Sequence, residues 1–90
     1  MWVHRLKIYP KFFNDVTSGV KKFEFRRNDR KFEVGDELIL MEFIPNVNDL
    51  ASGDGGSYTG KSCRCEITYM LGLSYLSSVQ EYVVLGIKLL

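Results

Sequence analysis

The chain has 90 residues, a formal net charge of +1, 46% hydrophobic and 26% charged residues. That length corresponds to one domain, residues 1–90, and the apolar content excludes wholesale disorder; a core covering roughly 60% or more of the unfolded surface needs no disulfide or metal staple. No apolar run approaches the ~20 residues of a membrane span, and Met1 to Lys7 carry no apolar leader, so a cytoplasmic protein without a membrane partner is expected.

In chain order, Trp2 to Tyr9 predicts a first strand in which His4, Leu6 and Ile8 alternate with Val3, Arg5, Lys7 and Tyr9. Pro10 suits the first turn of a helix, Phe12, Phe13 and Val16 recur at helical spacing through Ser18, and Gly19 supplies a left-handed stop. Lys22 to Arg27 predicts a second strand with Phe23 and Phe25 on a dry face and Lys22, Glu24 and Arg26 on a wet one. Asn28-Asp29-Arg30 turns the chain, and Phe32 to Asp36 connects to a third strand, Glu37 to Phe43, apolar on both faces and therefore expected to be covered on both.

Pro45 to Ser57 is rich in Asn, Asp, Gly and Ser and predicts a long loop able to act as a lid. A fourth strand from Lys61 to Leu71 places Cys63, Cys65, Ile67, Tyr69 and Leu71 on one face. After a connector from Gly72 to Ser78, a fifth strand from Tyr82 to Leu89 places Val83, Leu85, Ile87 and Leu89 together. The fold class is mainly β (α+β): a small barrel of about five to six strands capped by one short helix, with an open sheet as the competitor.

Charge is unevenly distributed. Residues 19–31 hold Lys21, Lys22, Arg26, Arg27, Arg30 and Lys31 against Glu24 and Asp29, whereas residues 32–57 hold six acidic residues and no basic ones. Such a dipole steers an anion, and nucleic acid is the leading guest; a merely solvated charged face is the bland alternative. Cys63 and Cys65 lie two apart in a strand, a spacing poorly suited to a disulfide, and read as small buried hydrophobes. Two cysteines and one distant histidine are too few for a zinc site, so no metal or cofactor is expected.

Gly55 to Ser62 spells G-x-x-x-x-G-K-[ST], but a phosphate-cradling loop needs a buried strand before it and a helix after it. Here an Asn/Asp-rich loop precedes and an alternating, strand-like run follows, so nucleotide hydrolysis is not expected. Lys61 remains available as a cation.

Gly19-x-Lys21-x-x-Glu24-x-Arg26 resembles the signature of the ASCH domain family, whose fold is similar to the PUA-type RNA-binding barrel. The likeness extends to His4-x-Leu6-Lys7-Ile8, to Phe23-Glu24-x-Arg26-x-Asn28-Asp29-Arg30-x-Phe32-x-Val34-Gly35-Asp36, and to Tyr58-Thr59-Gly60 with Ile67-Thr68-Tyr69. These blocks resemble a phage and bacterial branch of unassigned function. The resemblance implies a cleft beside the segment joining the helix to the second strand, lined by Lys21, Glu24 and Arg26, with RNA or a modified nucleoside as guest. Some ASCH proteins resemble amidohydrolases that deacylate a modified cytidine with a lysine, a threonine three residues on and a later glutamate. Lys21 matches the lysine, whereas Glu24 occupies the threonine position.

The residues' own chemistry supports anion contacts from Arg26 and Arg30, whose planar forks hold phosphate or a base edge, and from Lys7, Lys21 and Lys61 as point charges. Asn28 either reads a base edge or builds the turn; Tyr58 offers a stacking surface, and Tyr9 either stacks on a base as well or, as the leading reading, fills the core. His4 is either a ligand contact or a satisfied strand residue, and Glu42 points either into the cleft beside Lys21 or to the strand's wet end. In a strand regular from residue 21, Lys21 faces away from Glu24; the two meet only if the strand begins later. The leading expectation is an RNA- or nucleotide-binding domain. The alternatives are an amidohydrolase with Lys21 and Glu24 as catalytic pair and a protein-interaction module.

Overall fold

The computed structural model describes residues 1–46 and 55–90. The elements are β1 (Val3–Ile8), α1 (Pro10–Thr17), β2 (Phe23–Arg27), β3 (Glu37–Pro45), β4 (Gly56–Gly72) and β5 (Tyr82–Leu89). One five-stranded sheet has the order β1-β3-β4-β5-β2, with β1 and β3 parallel and the other neighbours antiparallel. The sheet curls into a half-barrel whose two edge strands, β1 and β2, face each other across a gap. The expected lid segment lies largely outside the described residues.

The first strand follows its sequence pattern, and the helix does so at Phe13 and Val16 but not at Phe12, which is exposed. His4, Leu6 and Ile8 are buried on β1, and α1 turns Phe13 and Val16 into the cluster formed by Leu6, Ile8, Leu38, Leu40, Ile67, Val83 and Leu85. Gly19, at φ +83°, ends the helix as expected, and Lys21 N–H then bonds back to Asp15 O (2.9 Å). Regular strand geometry therefore starts only at Phe23.

Strand β2 reverses the expected faces. Glu24 pairs across the ladder with Leu85, and Arg26 with Val83, both partners fully buried. Directly paired residues share a face, so Glu24 and Arg26 point into the half-barrel while Phe23 and Phe25 are about half exposed. On β3, Leu38 and Leu40 are fully buried but Ile39 and Met41 are only half covered, so the expected burial on both faces is not met. A bulge between Met41 and Phe43 turns both Glu42 and Phe43 inward.

Strand β4 is longer than expected because its ladder with β3 already begins at Pro45↔Gly56. Its face switches midway. The register shifts between Ile67 and Tyr69, so Cys65 and Ile67 are buried, Tyr69 turns outward, and Met70 packs on the core instead. On β5 Val83, Leu85 and Ile87 are buried as expected, but Leu89 is exposed.

Asp36, 1% exposed, ties the start of β1 to the turn before β3. Its carboxylate accepts from Trp2 N–H (3.0 Å), His4 Nε2 (2.9 Å) and Glu33 N–H (3.1 Å). Burial raises its carboxyl, but the bonds from His4, Trp2 and Glu33 outweigh that effect and hold it below the usual carboxylate range. His4 also lies 4.8 Å from the Phe32 ring, centroid to centroid, which places it among the satisfied strand residues.

Candidate nucleic-acid interface

A half-barrel leaves the outward backbone groups of both edge strands without ladder partners. Here arginines cross the gap. Arg30 Nη1 donates to Arg5 O (3.1 Å) and Arg26 Nη2 to Lys7 O, so two carbonyls two residues apart on β1 are capped from the β2 side.

Beside this crossing lies a cleft of about 540 Å³, lined by Lys7, Ile8, Tyr9, Phe12, Lys21, Phe23, Glu24, Phe25, Arg26 and Phe43. Its volume lies in the range of small-ligand sites. Glu24 is the buried centre of its polar part, with a side chain 4% exposed. Glu24 Oε1 accepts from Lys21 Nζ and Oε2 from Arg26 Nε (2.9 Å), while Lys21 Nζ also donates to Phe23 O (2.7 Å). Because β2 begins after Lys21, the lysine turns toward Glu24 rather than away from it. Its ammonium lies 4.9 Å from the Phe23 ring centre and 5.6 Å from that of Phe12.

Of the residues singled out in the sequence, Lys7, Lys21, Glu24 and Arg26 meet in the cleft. Arg30 sits at the crossing, and Tyr58 packs edge-on against Phe43 (5.2 Å between ring centres) just outside the lining. Asn28 and Lys61 do not line it: Asn28 N–H bonds to Glu81 O, and Lys61 N–H bonds to the Thr59 hydroxyl. Glu42 is buried on neither of its expected sites and accepts from Thr59 Oγ1 (2.8 Å). Lys7 Nζ stands 4.4 Å above the centre of the Phe43 ring.

Sequence reasoning missed the aromatic lining of Phe12, Phe23, Phe25 and Phe43. Tyr9 is about half exposed at the cleft, the position of its stacking reading rather than of the core-filling one. A signal for Phe12 existed: adjacent helical residues cannot both face one core, and Phe13 takes the inward position. Gly55 to Ser62 runs into β4 with no helix after it, as its strand-like pattern foretold. Cys63 and Cys65 are free thiols, and no cluster of His, Cys, Asp and Glu able to hold a metal occurs among the described residues. No described helix is long and apolar enough to cross a membrane.

A family model described as "Domain of unknown function (DUF3850)" matches residues 3–87. A similar curated protein is the "Uncharacterized 12.9 kDa protein in GpA 3'region" of Escherichia phage P2, 35% identical over 83 residues. The match covers 92% of this chain but only 65% of the phage protein, so the chain spans about two thirds of that relative's length.

Proposed function

The chain belongs to the DUF3850 family, and from the cleft we propose that it binds RNA or a nucleotide at the gap between β1 and β2, on a PUA-like barrel of ASCH type working in the cytoplasm. The observation carrying this reading is the convergence of Tyr9, Phe12, Phe23, Phe25 and Phe43 with Lys7, Lys21 and Arg26 around one hollow. Unpaired bases are held by stacking on aromatic faces while cations contact the phosphates. The concave, one-carboxylate site suits a single splayed base better than a duplex.

Binding of fluorescent single-stranded RNA and of mononucleotides, followed against salt, tests the reading. Affinity should fall as salt rises, and Phe12→Ala should weaken binding about tenfold, as loss of one stacking partner does. Salt-insensitive binding, or none to any RNA or nucleotide, would refute it.

A second reading rests on the contact between Lys21 Nζ and Glu24 Oε1 at the cleft. It makes the pair reactive toward the amide of an acylated cytidine. Mass spectrometry of such nucleosides incubated with wild type and Lys21→Ala decides it, since equal or absent turnover removes this reading.

A further inference from the structure

We infer that Lys7, rather than Lys21 or Arg26, is the residue that takes the ligand's anionic group, and that the cleft's preferred guest is a nucleoside carrying a terminal phosphate. The inference rests on the nucleotide-binding reading and sharpens it.

The two cations beside Glu24 already hold acceptors. Lys21 Nζ donates to Glu24 Oε1 and Phe23 O; Arg26 donates through Nε to Glu24 and through Nη2 to Lys7 O. Both cations thus converge on one buried carboxylate and on edge carbonyls, so although Lys21 keeps one N–H and Arg26 three, their charge is already matched by Glu24, and moving either toward a phosphate would strip a partner from it. Lys7 differs. Among the described residues its ammonium has no carboxylate or carbonyl partner; it lies over the Phe43 ring at 4.4 Å and 5.9 Å from the centre of Tyr58. Toward the described residues its N–H donors therefore make no hydrogen bond, and those turned away from the Phe43 ring can meet an anion.

Polarity across the cleft follows. Lys7 is exposed and Glu24 buried, so an anion is favoured at the exposed end and a planar apolar ring fits among Tyr9, Phe12, Phe23 and Phe25. A guest with both parts is a nucleotide or a phosphorylated RNA end.

Isothermal titration of the four common ribonucleosides, their 5′-monophosphates and inorganic phosphate against wild type, Lys7→Gln, Lys7→Arg and the control Lys31→Gln tests this. Wild type should bind at least one monophosphate about tenfold more tightly than its nucleoside. Lys7→Gln should abolish that preference, Lys7→Arg should restore it, and Lys31→Gln should match wild type. A preference that survives in Lys7→Gln overturns the inference and leaves the nucleotide-binding reading standing. Equal affinity of wild type for nucleoside and monophosphate does the same without any variant. Tight binding of inorganic phosphate alone, with no gain from the base, overturns the joint site. Wild type that binds no nucleoside, nucleotide or RNA sinks both.

Discussion

Arg26 donates through Nη2 to the backbone carbonyl of Lys7, so a side chain of one sheet edge caps the backbone of the other. The same guanidinium holds Glu24 Oε2 through Nε at 2.9 Å. Arg26→Ala removes both bonds, leaving a buried carboxylate with one cation and an edge carbonyl without a donor. The expected cost is about 2–4 kcal/mol, read as a lower urea midpoint. Arg26→Lys keeps the charge but lacks the fork to reach both acceptors, and should recover only part of the loss. Amide exchange in β1 and β2 should quicken before that of β3 to β5. Uniform exchange throughout the sheet would show that the arginine does not hold the two edges together.

The acid limb of stability should carry the signature of Asp36. Its folded carboxyl titrates below the usual range, whereas in the unfolded chain an aspartate titrates at about 3.9. Between those values the unfolded state binds more protons, so stability rises with pH there. The contribution is complete above the unfolded value and disappears as pH falls through the folded one. Asp36→Asn cannot accept from Trp2, His4 and Glu33 with both side-chain atoms, and should lose about 2–3 kcal/mol at pH 7. The gap between wild type and variant should narrow toward pH 3 in urea titrations; a gap independent of pH would contradict the assignment.

The limits of sequence reading are instructive at β2 and β4. Alternation along Phe23-Glu24-Phe25-Arg26 correctly marks a strand, but period alone does not say which set faces the core. Aromatic residues ordinarily do, and here the balance is tipped the other way by Lys21 and Arg26, which between them satisfy Glu24. That satisfaction is tertiary, since it requires the strand to start at Phe23 and Arg26 to reach β1. The β4 switch at Thr68 is likewise invisible to periodicity, because one bulged residue exchanges Tyr69 for Met70 on the inner face. By contrast α1 and β5 were legible because local signals, Pro10, Gly19 and the Val83-Leu85-Ile87 row, agree with the packing. For the cleft, Lys21, Glu24 and Arg26 could be picked out from their sequence block. Phe43, placed inward by the β3 bulge and brought to β1 by parallel pairing, could not.

Thiol reactivity should separate the two cysteines. Burial pushes the Cys65 thiol up to about 12, with Cys63 adding to the effect, and burial also raises Cys63, which is only partly covered. Alkylation requires thiolate and access. With iodoacetamide at pH 8, Cys63 should modify slowly in the folded protein and Cys65 only after denaturation, as mass spectrometry of the digested chain would show. Rapid native modification of Cys65 would place it outside the core.

Gly56 and Gly60 both hold a positive φ, at +145° and +92°, but only one is hemmed in. A Cβ at Gly60 meets nothing within 4 Å, whereas at Gly56 it lies 2.5 Å from Ile44 O and 2.5 Å from Phe43 Cζ. Gly60→Ala therefore carries a backbone penalty alone, about 1–2 kcal/mol. Gly56→Ala adds a collision with a carbonyl and with a ring that lines the cleft, and should cost about 3 kcal/mol or more. The strand can relieve that collision only by displacing β3 or pushing the Phe43 ring off its site beneath the Lys7 ammonium. Gly56→Ala should therefore weaken nucleotide binding as well as stability, while Gly60→Ala should leave binding at the wild-type level. Equal binding by the two variants under conditions where both are folded would mean that Phe43 does not shape the ligand site.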